Sequence, residues 1–361
     1  MENKRFISSE KNFLSVSAPE LSKKLDYLFA QEFSSKFRLW AWSYIDNIDN
    51  FNLLRPEIGG HPETAIVIQG GIDNLDLILF ILKRYVKLYP DSIIIVSTWN
   101  DIEPNILLTL EVYTSIYTNC HIVINHKPKF KGYGGMNTNL QIISAIAGIK
   151  KAKELGAKYV LKIRSDIVIG SLHFLSTLKN FHSFFSSNIL PGQKGRIIVD
   201  SMNTYRCRPF SVSDHFSFGY ISDMVLMWTL ELPTSNETMR NVSIIGRTGN
   251  EFEPMSLDDA HHLGWSAKPM LMDEAYLVSS LMNASQISYT FDWVDSKKFL
   301  ARGFIILDSI LDLYFIKPNK TWATGSSKFR NAAIPNFATS RFGQSEISFS
   351  EWLGWYIDYC S

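Results

Sequence analysis

Asn137–Asp166 reads NTNLQIISAIAGIKKAKELGAKYVLKIRSD. Its first half has apolar residues at helical spacing, which predicts Leu140, Ile143, Ile146 and Ile149 on one face of a helix over 139–155. Gly156 then falls just past the helix end, where a left-handed residue closes the last turn. The second half, KYVLKIR (158–164), is a short strand-forming run that leads into Arg164-Ser165-Asp166. A long helix followed at once by such a strand is half of a strand–helix–strand crossover.

The same alternation extends upstream. TAIVIQ (64–69), SIIIVS (92–97) and HIVIN (121–125) are predicted strands, with helices over Leu75–Tyr89, stopped by Pro90, and Asn105–Tyr117 between them. Each interval holds one helix, so the crossovers are right-handed and the sheet is mainly parallel. The expected fold class is therefore α/β, a mainly parallel central sheet flanked by helices. Downstream, RIIVD (196–200) and Phe216–Gly219 are predicted strands, and Ser222–Leu230 and Met272–Met282 predicted helices. Residues 1–60 are expected to form a helical extension, with Leu21, Leu25, Leu28 and Phe29 on one stripe. Residues 61–325 form the main domain, and an aromatic tail over 326–361 packs on it. For EWLGWYIDY (351–359), core packing is favoured over a headgroup interface, because the lysine-rich polar face of interfacial helices is missing.

The chain's 361 residues, 46% hydrophobic, supply ample core material. Its 36 basic and 35 acidic residues argue against a nucleic-acid binder, which carries a basic excess. MENKRFISSEKNF contains no signal-peptide apolar run, and no apolar stretch approaches the roughly 18 residues of a spanning helix. Cys120, Cys207 and Cys360 suggest neither a disulfide frame nor a zinc cluster. The expectation is a cytoplasmic protein.

Ligands of such sheets bind beyond the C-terminal strand ends. Gln69, Gly70 and Gly71, Trp99–Asp101, Asn125–Gly135 and Arg164–Asp166 all fall there. Asp166 is a candidate ligand for a divalent cation, Mg²⁺ or Mn²⁺, and Arg164 a candidate phosphate fork; a capped turn beside a structural arginine would use the same residues. Lys127, Lys129 and Lys131 run into Gly132-Tyr-Gly-Gly and a helix start, an anion-binding pattern that a solvated basic loop fits equally. Walker A, GxGxxG and GxSxG patterns are absent, which counts against ATPase, Rossmann dehydrogenase and serine-hydrolase readings. Asp214-His215 is either a hydroxyl-positioning pair or a structural one. Asp258-Asp259 and His261-His262 read as a surface loop. Glu274, preferred over Asp273, is a candidate base for sugar transfer with inversion, although both acids also suit a helix N-terminus.

Taken together, TAIVIQGG (64–71), IIIVSTWND (93–101), NTNLQIISAIAGIKKAKELGAKYVLKIRSDI (137–167) and SDHFSFGY (213–220) resemble the WavE-type family of bacterial lipopolysaccharide-core synthesis proteins. The resemblance covers roughly residues 60–300. It implies a GT-A-like nucleotide-diphospho-sugar transferase fold and a glycosyltransferase activity. It further implies that Thr64–Gly71 and Trp99–Asp101 frame the nucleotide and that Asn137, Asn139 and Gln141 approach the donor. Arg164-Ser165-Asp166 would stand where many GT-A enzymes place Asp-x-Asp, and Asp273 and Glu274 where they often place the base. The first acid of that motif is an arginine here, so Arg164 is expected to neutralise part of the diphosphate itself. The implied partners are a nucleotide-sugar donor and a glycan or lipid-linked glycan acceptor; peripheral contact to the inner membrane is a separate expectation, tied to the aromatic 351–359 segment. The alternative is a catalytically inactive sugar- or nucleotide-binding subunit of a glycan-assembly complex.

Overall fold

Strand β1 (Thr64–Gln69) is buried at every position, as a strand covered on both faces must be. The computed structural model describes residues 60–72, 74–128, 137–169, 173–201, 204, 210–232, 276–288, 293–308, 313–317, 320–323 and 346–360. The expected N-terminal helix lies outside them, as does the 272–275 part of the helix expected over 272–282.

From β1 the chain alternates through helix α1 (Leu75–Leu88), β2 (Ile93–Trp99), α2 (Pro104–Ile116), β3 (Cys120–Asn125), α3 (Thr138–Glu154) and β4 (Tyr159–Arg164). Asn74 caps α1 by accepting the Leu77 N–H at 3.0 Å. Past α3, Gly156 adopts φ +85°, its N–H donates to the Lys153 carbonyl, and the Ala157 N–H donates to that of Ala152. This is the expected left-handed closure.

β3, β2, β1 and β4 pair in that order, all parallel. Beyond β4 come β7 (Phe216–Tyr220), β6 (Ile197–Asp200) and β8 (Phe304–Leu307), completing seven strands. β7 runs antiparallel to both neighbours, and β6 and β8 are parallel to each other. The mainly parallel α/β sheet is as expected. The antiparallel β7 has no signature in strand spacing, because its direction is set by the return path from β6. A second sheet was also not anticipated: β5 (Ile167–Ile169) leaves β4 after two residues and pairs with β9 (Leu313–Lys317), which pairs with β10 (Lys320–Ala323).

The buried face of α3 differs from the expected one. Ile142, Ala145, Ile149 and Ala152 are in the core, whereas Leu140, Ile143 and Ile146 are only partly covered. Small residues decide the orientation. A Cβ on Gly148 would stand 2.4 Å from Val67 Cγ1 and 3.1 Å from Ser97 Cβ, so the helix backbone rests directly on β1 and β2. Larger side chains on that face would lift it away.

The chain continues through α4 (Phe174–Phe184), α5 (Ile221–Trp228), α6 (Ser279–Ser285), α7 (Trp293–Gly303) and α8 (Phe349–Cys360). α8 packs by its aromatic face. Trp352 is fully buried, its indole N–H donates to the Leu300 carbonyl at 3.3 Å, and its ring meets Phe185 edge-on. Buried Arg196 donates to the carbonyls of Phe185, Asn188 and Ala301, at the C-terminal ends of α4 and α7 where a cation is favoured.

Two glycines test this packing. Gly148→Ala is expected to destabilise the fold, because about 1–3 kcal/mol of overpacking outweighs about 1 kcal/mol of helix propensity. Gly354→Ala in α8, where a Cβ meets nothing within 4 Å, should stabilise by up to about 1 kcal/mol. Urea unfolding of both variants measures the contrast. Deleting residues 350–361 removes Trp352 and Trp355 from the core and should yield insoluble protein, checked by fractionating expressed material.

Candidate functional site

Strand direction determines what gathers at the sheet's C-terminal edge. β1 to β4 are parallel, so Gln69-Gly70-Gly71, Asp101, Lys127 and Arg164-Ser165-Asp166 all follow strand ends on one side. The return helix α3 brings Asn137, Asn139 and Gln141 to the same edge. Because β7 is antiparallel to β4, with Ile163 opposite Phe216, its start lies there as well, which carries Asp214 and His215 to the edge. β6 ends there with Asp200.

The β1 loop and the β4 turn are tied together. The Ser165 N–H donates to the Gln69 carbonyl at 2.8 Å, and the Ser165 hydroxyl donates to the Gly71 carbonyl at 2.6 Å. Gly70 has φ +129°, and a Cβ there would lie 2.9 Å from Ser165 Oγ. Only glycine meets both demands. Behind the loop, the Gln69 side-chain amide donates to Ser144 Oγ, and the Ser97 hydroxyl donates to the Ser144 carbonyl. Asn125 donates to Ser97 Oγ and to the Thr98 carbonyl. Gln69 Oε1 and Gln141 Oε1 are buried acceptors without a donor among the described residues. Asn137 adopts φ +68° at the start of α3, a left-handed conformation asparagine tolerates.

Arg164 forms the charged centre. Its Nε and Nη2 donate to the two oxygens of Asp166, each at 2.9 Å, and Nη1 donates to Asp214 Oδ2 at 3.3 Å. Two residues earlier on the same strand face, Lys162 is fully buried. Its ammonium donates to the Asp214 backbone carbonyl and lies 4.5 Å from the centroid of the Trp228 ring. Burial pushes the Lys162 pKa down to about 8, with the Asp214 charge resisting. Burial also works to raise the Asp214 carboxyl, yet Arg164, His215 and Lys162 together carry it down to about 2. For Arg164 burial opposes the charge, and Asp214 and Asp166 reverse that, leaving its pKa above the ordinary arginine value. His215 Nδ1 stands 3.4 Å from Asp200 Oδ2.

Arg164, Asp166 and Asp214 are thus in direct contact, with Gln69, Gly70 and Gly71 beside them. Asp101 lies elsewhere on the edge, in an ion pair with Lys127, two strands from β4 and so about 10 Å away. Lys131, Asp273 and Glu274 lie outside the described residues. Lys162, Ser97 and Ser144 were missed as site residues. Lys162 had a signal, since a lysine between Leu161 and Ile163 in a central strand needs a buried partner.

The turn was also expected to hold a divalent cation at Asp166. Both oxygens of Asp166 hold the guanidinium. Among the described residues, no group of three or more His, Cys, Asp or Glu side chains is placed to hold a metal ion. The described residues of this turn, with both Asp166 oxygens on Arg164, do not by themselves make a protein-held metal centre.

Asp214's folded-state pKa lies below its ordinary 3.8, so its stabilisation is complete above about pH 4 and lost as pH falls through about 2. This contribution is about 2 kcal/mol. Asp214→Asn should cost about 3–5 kcal/mol at neutral pH, by removing the carboxylate that offsets buried Lys162 and leaving Arg164 to Asp166 alone, and flatten the stability profile between pH 4 and 2. Thermal melts across that range check it; parallel profiles for the two proteins would contradict the assignment.

The sequence model of a family described as WavE lipopolysaccharide synthesis matches residues 64–252, from β1 to beyond α5. The span contains Gln69, Arg164, Asp166 and Asp214 and excludes Asp273 and Glu274. Comparison with curated proteins gives no match. The match covers more than half of the chain and the whole charged centre, and the chain belongs to the WavE lipopolysaccharide synthesis family.

Proposed function

We propose that this protein is a glycosyltransferase that moves a sugar from a nucleotide-sugar donor to a bacterial surface glycan, lipopolysaccharide core or capsule. One observation carries the reading: the Gly70-Gly71 loop and the Arg164-Ser165-Asp166 turn are bonded to each other at the edge where α/β sheets bind ligands. The nucleoside would lie over the ends of β1 and β2, between Gly70 and Asp101. The diphosphate would reach towards Arg164. Gln69 Oε1 and Gln141 Oε1 are acceptors that donor hydroxyls would satisfy. Asp214, already engaged by Arg164, would orient the charge at the leaving group.

Transfer with inversion needs a base for the acceptor hydroxyl, and Glu274 is the proposed one, with Asp273 beside it. The GT-A-like architecture belongs to the same proposal, supported by the parallel β1–β4 order and the polar strand ends. The reaction would take place on the cytoplasmic side, in peripheral contact with the inner membrane where a lipid-linked acceptor resides. No helix among the described residues is long and apolar enough to cross a membrane.

A second reading is a non-catalytic sugar- or nucleotide-binding subunit. The pairing of Asp166 with Arg164 favours it, because this turn lacks the acid pair of Asp-x-Asp. A panel of nucleotide sugars with purified protein separates the two. Donor hydrolysis or transfer, lost in Asp166→Ala and reduced at least about 100-fold in Glu274→Gln, supports the enzyme. Full turnover by Asp166→Ala would remove the proposed centre, and an unchanged rate for Glu274→Gln would remove the base. Binding of oligosaccharide without donor turnover supports the subunit.

A further inference from the structure

We propose that Arg164 is the resident cation of the donor site, meeting the diphosphate charge so that no divalent ion is required. The inference rests on the donor-site reading above and adds how that site handles charge. Three observations carry it. Asp166, the residue placed to ligate an ion, uses both oxygens to hold the Arg164 fork at 2.9 Å. Asp214 fixes the guanidinium from another side at 3.3 Å, so its plane is set before a ligand arrives. The side chain is 27% exposed, which leaves part of it facing solvent at the strand end.

The formal charges of Lys162 and Arg164 balance those of Asp166 and Asp214. A divalent ion added at Asp166 before a nucleotide binds would set two further positive charges beside a guanidinium and a buried ammonium, with no further carboxylate group among the described residues placed to hold it. A diphosphate approaching the exposed part of Arg164 meets a planar donor that suits phosphate oxygens. As the acceptor oxygen bonds the anomeric carbon and gives its proton to a base, the anomeric C–O bond breaks, its electron pair passes to the terminal phosphate oxygen, and the negative charge formed there faces Arg164. Lys162 does not touch that oxygen. It is a positioning residue that holds the Asp214 carbonyl, and with it the carboxylate that orients the guanidinium.

The test is calorimetric titration of the full chain with UDP, GDP, CDP and ADP, in EDTA and in added Mn²⁺. The wild type is expected to bind one of them with a dissociation constant that differs by less than about twofold between the buffers. Arg164→Gln should weaken binding in EDTA by about tenfold or more, the worth of a charged hydrogen bond. Without its cation, the same variant should gain a Mn²⁺ site between Asp166 and Asp214, read by electron paramagnetic resonance with no nucleotide present; the wild type should show none. Wild-type binding that is abolished by EDTA and restored by Mn²⁺ would overturn the proposal, and this arm needs no variant to fold. Binding of no nucleotide in either buffer would overturn the donor-site reading and this proposal with it. Metal-independent binding that is unchanged in Arg164→Gln would overturn only the proposal.

Discussion

Two cations on the central strand β4 share one residue, Asp214. Lys162 is fully buried and Arg164 is mostly covered, and neither could keep its charge there without an anion close by. Asp214 serves both: its backbone carbonyl accepts from the Lys162 ammonium while its carboxylate offsets that charge, and the same carboxylate shares Arg164 with Asp166. The segment before β7 is thereby fixed to the end of β4, and the start of β7 with it. The same ion pairs close the gap where the chain leaves the main sheet after Arg164 to enter the second one at Ile167. Site and architecture therefore share one constraint.

A second constraint is steric. α3 lies so close to β1 and β2 that a methyl group at Gly148 has no room, and this closeness brings Ser144 within reach of Gln69 and Ser97. The polar floor beneath the Gly70–Gly71 loop follows from small residues on the helix face. Gly70 repeats the principle at the loop itself, where the backbone must turn through positive φ and leave room for Ser165. Loop, turn and helix are held to one geometry by the small residues Gly70, Ser144 and Gly148.

Much of this was legible in the residues. Four strands joined by three helices end in polar or glycine residues, and local periodicity is enough to place Gln69–Gly71, Asp101 and Arg164–Asp166 on one edge. Asp214 and His215 were readable as a pair but not as neighbours of Arg164, because that neighbourhood depends on the antiparallel direction of β7. Strand direction is a tertiary property, and FSFGY carries no trace of it. The face of α3 was misjudged for a related reason. Periodicity of large apolar residues points to Leu140, Ile143 and Ile146, whereas close packing on a sheet rewards Ala145, Gly148 and Ala152. Lys162 was passed over because strand readings weigh the apolar majority, although the lone charge in such a run is its most informative residue.

The proposed function and the metal-free donor site both require a nucleoside diphosphate bound at this edge with its terminal phosphate on Arg164. The direct measurement is a crystal structure of the protein with the tightest-binding nucleoside diphosphate. The base is expected over the ends of β1 and β2 and a phosphate oxygen within hydrogen-bond distance of the Arg164 guanidinium, with Asp166 and Asp214 still holding it. A nucleotide bound away from the Gly70–Gly71 loop, or a diphosphate that leaves Arg164 untouched, would contradict it.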